Sequence, residues 1–316
     1  MISRRYLRTK VMQAIFAHEM NPVEDIVEGE KKLTRSIESC YTLFLFFFSL
    51  LPELKHYRER KMEDVKEKFN PTFQDLNPNT KFVDNMVIRQ IEEHPKLQIL
   101  WKEHKIYWTD QIELIAKLYK EISELSEFEA YMNSQERTYA EDKKLVLTII
   151  EKVLAPNEVL HWFFEEQNLH WFDDYNDALL SLYKNIAAFK ETSSNVNKIY
   201  PLFKDKEEDI TFYKELYLKT IMHCNEYEKI IENKLHNWEL ERVMGVDMIL
   251  LKMGICELLE FQTIPIKVTI NEYIELAKNY SSAKSGLFIN GLLDNMVADF
   301  KAEKKLQKIG RGLLNA

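Results

Sequence analysis

The sequence predicts an all-α protein, and three observations carry that prediction. Apolar residues recur at three- and four-residue spacing along most of the chain. Glycine is scarce, with seven in 316 residues, and runs of Val/Thr alternation that would build strands are few. Six of the glycines (Gly245, Gly254, Gly286, Gly291, Gly310 and Gly312) lie in the last quarter, which argues against any fold built on a Gly-rich phosphate loop. Hydrophobic residues at 46% and charged residues at 30% fit a globular protein with a real core, in one to three domains.

Taken in order, residues 4–18 form the first helix, with Leu7, Val11, Ala14, Ile15 and His18 on one face. Arg4 and Arg8 lie one turn apart on another face with Arg5 beside them. The net charge is −8, yet the first ten residues carry Arg4, Arg5, Arg8 and Lys10 and no acid, and local patches decide where a polyanion docks. Such a cluster suits a phosphate backbone, since each neutralised phosphate releases counterion; an ordinary solvated surface is the plainer alternative.

Residues 26–68 read as one or two long helices, and Phe44, Phe46, Phe47 and Phe48 make this stretch apolar nearly all round, central to a bundle. Its most apolar part, 43–51, is about half the length that crosses a bilayer, so burial in the core is expected. Residues 69–81, with Pro71 and Pro78, are the clearest non-helical stretch of the first half. Pro95 breaks a short segment, and 97–119 follows with Trp101, Ile106, Tyr107 and Trp108 packing from a helix face. Residues 121–135 read as a surface helix end and loop. Residues 142–171 and 209–238 then align at a shift of 67, pairing Leu145 with Phe212, Ile149 with Leu216, Phe164 with Ile231 and Trp171 with Trp238. Two copies are too few for a solenoid and suggest a duplicated helical hairpin. The expected division is 1–138, opening with the basic helix, and 139–316.

A helix at 247–259 is followed by one whose face is Ile266, Ile270, Tyr273, Ile274 and Ala277, with Thr269 and Glu272 at capping-box spacing. A polar turn at 281–285 leads to a last helix carrying Ile289, Leu292, Leu293, Met296, Val297 and Phe300. Asn290 and Gly291 fall inside it, where the glycine would permit close backbone approach. The tail, with Lys301, Lys304, Lys305, Lys308 and Arg311 against Glu303, is expected to be mobile.

Cys40, Cys224 and Cys256 share no short spacing and read as buried free thiols in a reducing compartment; with no apolar leader at the N-terminus, a cytoplasmic protein is expected. No His-Glu-x-x-His, Gly-x-Ser-x-Gly or Walker loop occurs. Glu165, Glu166, Asp173, Asp174 and Asp177 read as a solvated face, so neither metal nor cofactor is expected, and the chain does not read as an enzyme.

The string Ile264-Pro-Ile-Lys-Val-Thr-Ile-Asn-Glu-Tyr-Ile-Glu-Leu-Ala-Lys278, followed by Ser285-Gly-Leu-Phe-Ile-Asn-Gly-Leu-Leu-Asp294, resembles the C-terminal signature of the NusB transcription antitermination family. Asp247-Met-Ile-Leu-Leu-Lys-Met-Gly-Ile-Cys-Glu-Leu-Leu259 is similar to the helix before it, and Arg4, Arg5, Arg8 and Gln13-Ala14 match the family's RNA-binding opening. The resemblance spans roughly 1–20 and 205–300, with the signature at 238–300. It implies a NusB-type bundle with additional helices inserted between the N-terminal helix and the signature. The implied function is non-enzymatic: binding single-stranded boxA-type RNA of ribosomal RNA operons together with NusE, then joining RNA polymerase with NusA and NusG. By matching position, Arg4, Arg5 and Arg8 would hold phosphates, Lys252 and Phe288 would lie near the RNA face, and Phe16, Glu241 and Asp247 would meet NusE. Lys10 joins this set on charge. Lys284 replaces the acidic residue usual before the family's serine, which removes a repulsion from phosphate. Members with this helical domain fused to RNA cytosine methyltransferases continue into an α/β domain, which is not expected here. A helical protein-interaction scaffold, or a ribosome-assembly factor without antitermination activity, stand as alternatives.

Overall fold

A computed structural model describes residues 2–21, 25–192, 196–235 and 245–313, and every regular element among them is helical. The first ten helices are α1 (Arg4–Met20), α2 (Ile26–Lys66), α3 (Phe73–Leu76), α4 (Met86–Glu92), α5 (Pro95–Glu103), α6 (Ile112–Ser123), α7 (Ser126–Asn133), α8 (Tyr139–Ile149), α9 (Glu158–Gln167) and α10 (Trp171–Ala187). Then come α11 (Lys206–Met222), α12 (Cys224–Glu232), α13 (Gly245–Glu260), α14 (Ile266–Tyr280) and α15 (Ser285–Ala302). Contacts divide the chain into two units, one of residues 38–202 and one of 2–37 with 203–316. This differs from the division expected at 138/139. The reason is that α1 packs on α11, α13 and α14, which builds the basic helix into the signature helices and lets the residues between close on themselves.

In the unit containing the signature, α13 is the axis. Every residue from 247 to 258 is buried, since α1, α11, α12, α14 and α15 all pack against it. Gly254 makes this crowding tolerable: a Cβ there would lie 3.1 Å from a Leu293 methyl of α15 and 3.5 Å from the Tyr273 ring of α14. Close approach was expected at Gly291 instead, but Gly291 is exposed with open space beside it. The helix through Asn290 and Gly291 is nevertheless continuous. Helix α14 starts one turn before the expected capping box, at Ile266 with Pro265 as its N-cap, so Thr269 lies buried inside the helix and its hydroxyl bonds elsewhere. The tail is tied down: the Ile309 amide donates to the Gln262 carbonyl at 3.1 Å, and the Lys308 ammonium donates to the Phe261 carbonyl at 2.9 Å.

The inserted unit is organised on the aromatic stretch of α2. Phe46 and Phe47 meet Phe164, Trp171 and Tyr175 at ring-centroid distances of 5.1–5.7 Å, mostly edge to face. Helix α2, at 41 residues, is long and apolar enough to cross a membrane, but 72% of its most apolar window is buried within the protein. Two segments depart from the sequence reading. The stretch 97–119 is broken by a loop at 104–111, where Lys105 and Asp110 adopt positive φ, and Trp108 is anchored by its indole N–H donating to Ser49 Oγ at 2.9 Å. Residues 126–133 form a further helix, α7, because Phe128 and Tyr131 have a core to enter. Within 69–81 there is one short helical turn, α3, held by a capping box between Thr72 and Asp75.

The two segments aligned at a shift of 67 share local features. Each first helix opens on a side-chain N-cap, Thr138 or Asp205, followed four residues later by a buried aspartate, Asp142 or Asp209. The interior positions Leu145/Phe212, Ile149/Leu216, Leu160/Tyr227 and Phe164/Ile231 are buried in both. Trp238 lies outside the described residues.

Candidate nucleic-acid interface

Helix α1 begins at Ser3, whose side chain caps the Tyr6 amide, and its exposed end presents Arg4 and Arg5. From Tyr6 to Met12 every residue is buried. The four basic residues of this helix therefore separate into two kinds. Arg8 is 2% exposed and forms a two-pronged ion pair with Glu257 of α13, Nε and Nη2 each 2.8 Å from a carboxylate oxygen. Glu257, fully buried, also accepts from Thr269 Oγ1 at 2.8 Å and the Tyr273 hydroxyl at 3.2 Å. Burial opposes the Arg8 charge, but Glu257 more than offsets this and holds the guanidinium's pKa above its ordinary value. Arg8 thus joins α1, α13 and α14, and its expected phosphate contact is corrected: no donor of a side chain so enclosed can reach a phosphate. Lys10 is likewise buried, its ammonium 5.5 Å from the Tyr6 ring centre, and it is removed from the phosphate set for the same reason.

Arg4 and Arg5 remain accessible. Arg5, 46% exposed, donates Nε and Nη2 to Glu272 of α14, both at 2.9 Å. Arg4 donates Nε to Asp209 at 3.3 Å and holds Glu208 through Nη2 at 2.9 Å, with its guanidinium carbon 4.6 Å from the Phe212 ring centre. A guanidinium has five N–H donors, so both arginines keep Nη1 hydrogens for a phosphate while the carboxylates fix their orientation. Such partly exposed pairs contribute roughly 0–1 kcal/mol each, weak enough for a polyanion to reorganise.

Cationic side chains held by carboxylates continue along α14. The Glu275 charge acts on Arg5 and also pairs with Lys278 at 2.6 Å, and the Lys278 side chain lies against Gly286 at the start of α15. From Glu272 to Lys278 the helix rises about 9 Å. At the far end Lys284 is exposed at the N-terminus of α15, where the helix dipole adds to its charge, and Phe288 is half-buried one turn on. The sequence reading missed Lys278. Its signal was available, since it shares the polar stripe of α14 with Asn271 and Glu275, opposite Ile270, Tyr273 and Ala277.

The other expected positions scatter. Lys252 is buried at 5%, with its ammonium 3.2 Å from Glu19 and 3.9 Å from Glu228, so it is corrected from an RNA contact to an internal ion pair. Burial works against its charge, and Glu19 more than restores it. Phe16 is 42% exposed. Asp247 is 5% exposed and accepts from the Ser285 hydroxyl at 2.8 Å, pinning the start of α15 to α13, so its direct partner contact is corrected as well. Glu241 lies outside the described residues. Of the acidic group, Asp174 is buried, not solvated, and no group of three or more potential metal ligands occurs among the described residues. Cys224 is half-buried, while Cys40 and Cys256 are buried; all three are free thiols.

The model of the NusB family matches residues 177–298. The transcription antitermination protein NusB of Salinibacter ruber is 41% identical over 103 residues, 33% of this chain and 64% of that protein. Its counterpart in Finegoldia magna is 44% identical over 89 residues, 28% of this chain and 65% of that protein. That of an Exiguobacterium species is 38% identical over 95 residues, 30% of this chain and 74% of that protein. The matches thus span just under two thirds of the first two relatives. No solved structure matches.

Proposed function

The chain belongs to the NusB family, and on that premise we propose that it is a non-enzymatic RNA-binding factor that suppresses transcription termination. In this reading it binds boxA-type single-stranded RNA of ribosomal RNA operons together with NusE, and joins RNA polymerase with NusA and NusG. The observation that supports it is the strip from Arg4 and Arg5 through Lys278 to Lys284 and Phe288, carried on helices of the matched region and on the α1 end docked against them. Its chemistry suits a short single strand: arginine forks and lysines for phosphates, and one aromatic face for a base.

The test is binding of a boxA-type single-stranded RNA, with and without purified NusE, at two salt concentrations. Arg4, Arg5 and Lys284 acting on a single strand give a log-log salt slope of about −2. The Arg4/Arg5/Lys284→Ala variant should lose most binding, and NusE should strengthen what the wild type shows. Absence of binding under every condition would leave the fold intact and overturn the RNA reading in favour of a helical scaffold. Binding without antitermination in a reconstituted transcription assay would favour the ribosome-assembly alternative.

A further inference from the structure

Residues 155–183 contain six acidic residues and no lysine or arginine. They fold into α9 and α10, which pack on each other in the inserted unit; α9 and the first turns of α10 precede the family match, which begins at 177. Their outward face is not merely acidic. Trp162 is 58% exposed, Leu169 77% and Phe172 49%, and Val159 lies one turn before Trp162. The two helices are joined beside these side chains: the His161 ring, next to Trp162 in sequence, stacks on the Phe172 ring at 5.0 Å, and its Nε2 bonds the Phe172 carbonyl at 2.9 Å. Glu158 precedes Trp162 by one turn of α9, and Glu165 and Glu166 follow it by one turn. No basic side chain among the described residues pairs with these three glutamates.

An exposed tryptophan and phenylalanine framed by carboxylates have the anatomy of a protein-binding patch, an apolar centre with a charged rim. With no paired cation among the described residues to offset them, these carboxylates disfavour a phosphate backbone at this face. They attract ammonium and guanidinium groups, whose aliphatic stems and charges suit the faces of Trp162 and Phe172. We propose that α9 and α10 form a docking surface for a lysine- or arginine-rich segment, carrying apolar side chains, of a partner protein. The surface is separate from the cationic side chains on α1 and α14, and its exposed apolar residues Trp162, Leu169 and Phe172 all precede the family match.

The test uses the full chain and three fluorescein-labelled synthetic peptides of equal length: one of lysine and leucine in amphipathic order, one with serine replacing leucine, and one with glutamate replacing lysine. Fluorescence anisotropy should show binding of the lysine–leucine peptide, with both others at least tenfold weaker. Trp162→Ala and the Glu165→Lys/Glu166→Lys pair should each weaken it tenfold or more. Circular dichroism should be unchanged, because Trp162 and Glu166 are exposed and Glu165 is only half-buried, while Arg5→Ala should bind the peptide as the wild type does. Equal binding of the lysine–serine peptide would reduce the face to bulk charge and overturn the proposal. So would binding indifferent to both variants. Self-association of the wild type that Trp162→Ala abolishes, seen by sedimentation, would make a second copy the occupant and overturn it too.

Discussion

Arg8→Ala separates a structural arginine from an RNA-binding one. The substitution removes two 2.8 Å charge-assisted hydrogen bonds from Glu257 and leaves that carboxylate, fully buried, with only the Thr269 and Tyr273 hydroxyls as side-chain donors among the described residues. Breaking a buried pair by deleting one partner costs about 3–5 kcal/mol, because the remaining charge stays desolvated. The lost packing over Phe212, whose ring centre lies 5.1 Å from the guanidinium carbon, adds to this on the order of 0.5–1 kcal/mol. Even the lower bound shifts the folding equilibrium by roughly two orders of magnitude. The assay is urea unfolding of the full chain followed by circular dichroism and fitted with two transitions, since the two units need not unfold together. One transition should move to markedly lower urea. Replacing both partners, Arg8→Met with Glu257→Leu, should recover most of the loss, since an apolar pair of similar volume carries no desolvation cost. If Arg8→Ala instead left both transitions in place and abolished RNA binding, the assignment of Arg8 to the core would be refuted.

Further outcomes are expected. Lys284→Asp should weaken RNA binding about tenfold at low salt, with the difference shrinking as salt rises; unchanged affinity would remove Lys284 from the interface. Gly29→Ala should destabilise by roughly 1–2 kcal/mol despite alanine's better helix propensity, because its Cβ would collide with the Tyr217 hydroxyl. Adding Tyr217→Phe should restore most of that loss in the same urea experiment. Burial lowers the Lys308 ammonium from 10.5 to about 8, which Glu257 only partly resists. Between about pH 8 and 10.5 the unfolded chain therefore holds more protons at this site, so the tail contact strengthens across that window and is weakest below it. NMR of isotope-labelled lysines should show one titration near pH 8 that disappears in Lys308→Met.

Much of the helix inventory was legible because helices are written locally. The 3.6-residue period placed α1 and the turn at 281–285 within a residue or two, and the all-round apolar character of Phe44 to Phe48 placed them in a core. Errors arose where tertiary contacts override local signals. Thr269 and Glu272 have capping-box spacing, yet Thr269 serves the buried Glu257 because Pro265 starts the helix a turn earlier. The stretch 97–119 has helical period, but Trp108 reaches Ser49 from a loop. The tail looked like a free basic end, and its Lys308 instead donates to the carbonyls of Glu257 in the last turn of α13 and of Phe261 just after it.

The candidate site divides in the same way. Sequence alone determined that a basic helix, an apolar central stretch at Phe44 to Phe48 and the signature helices exist, since each depends on residues within a few turns of one another. Which of the basic side chains face solvent was decided only by the tertiary structure. Arg5 and Arg8 are three residues apart and chemically identical, yet one ends at the surface and the other against Glu257, 249 positions away. A single glutamate on the apolar face of α13 hinted at a buried cation. Choosing among Arg4, Arg5, Arg8 and Lys10 required knowing which way α1 is turned against α11, α13 and α14, a rotation set by the packing of all four helices together.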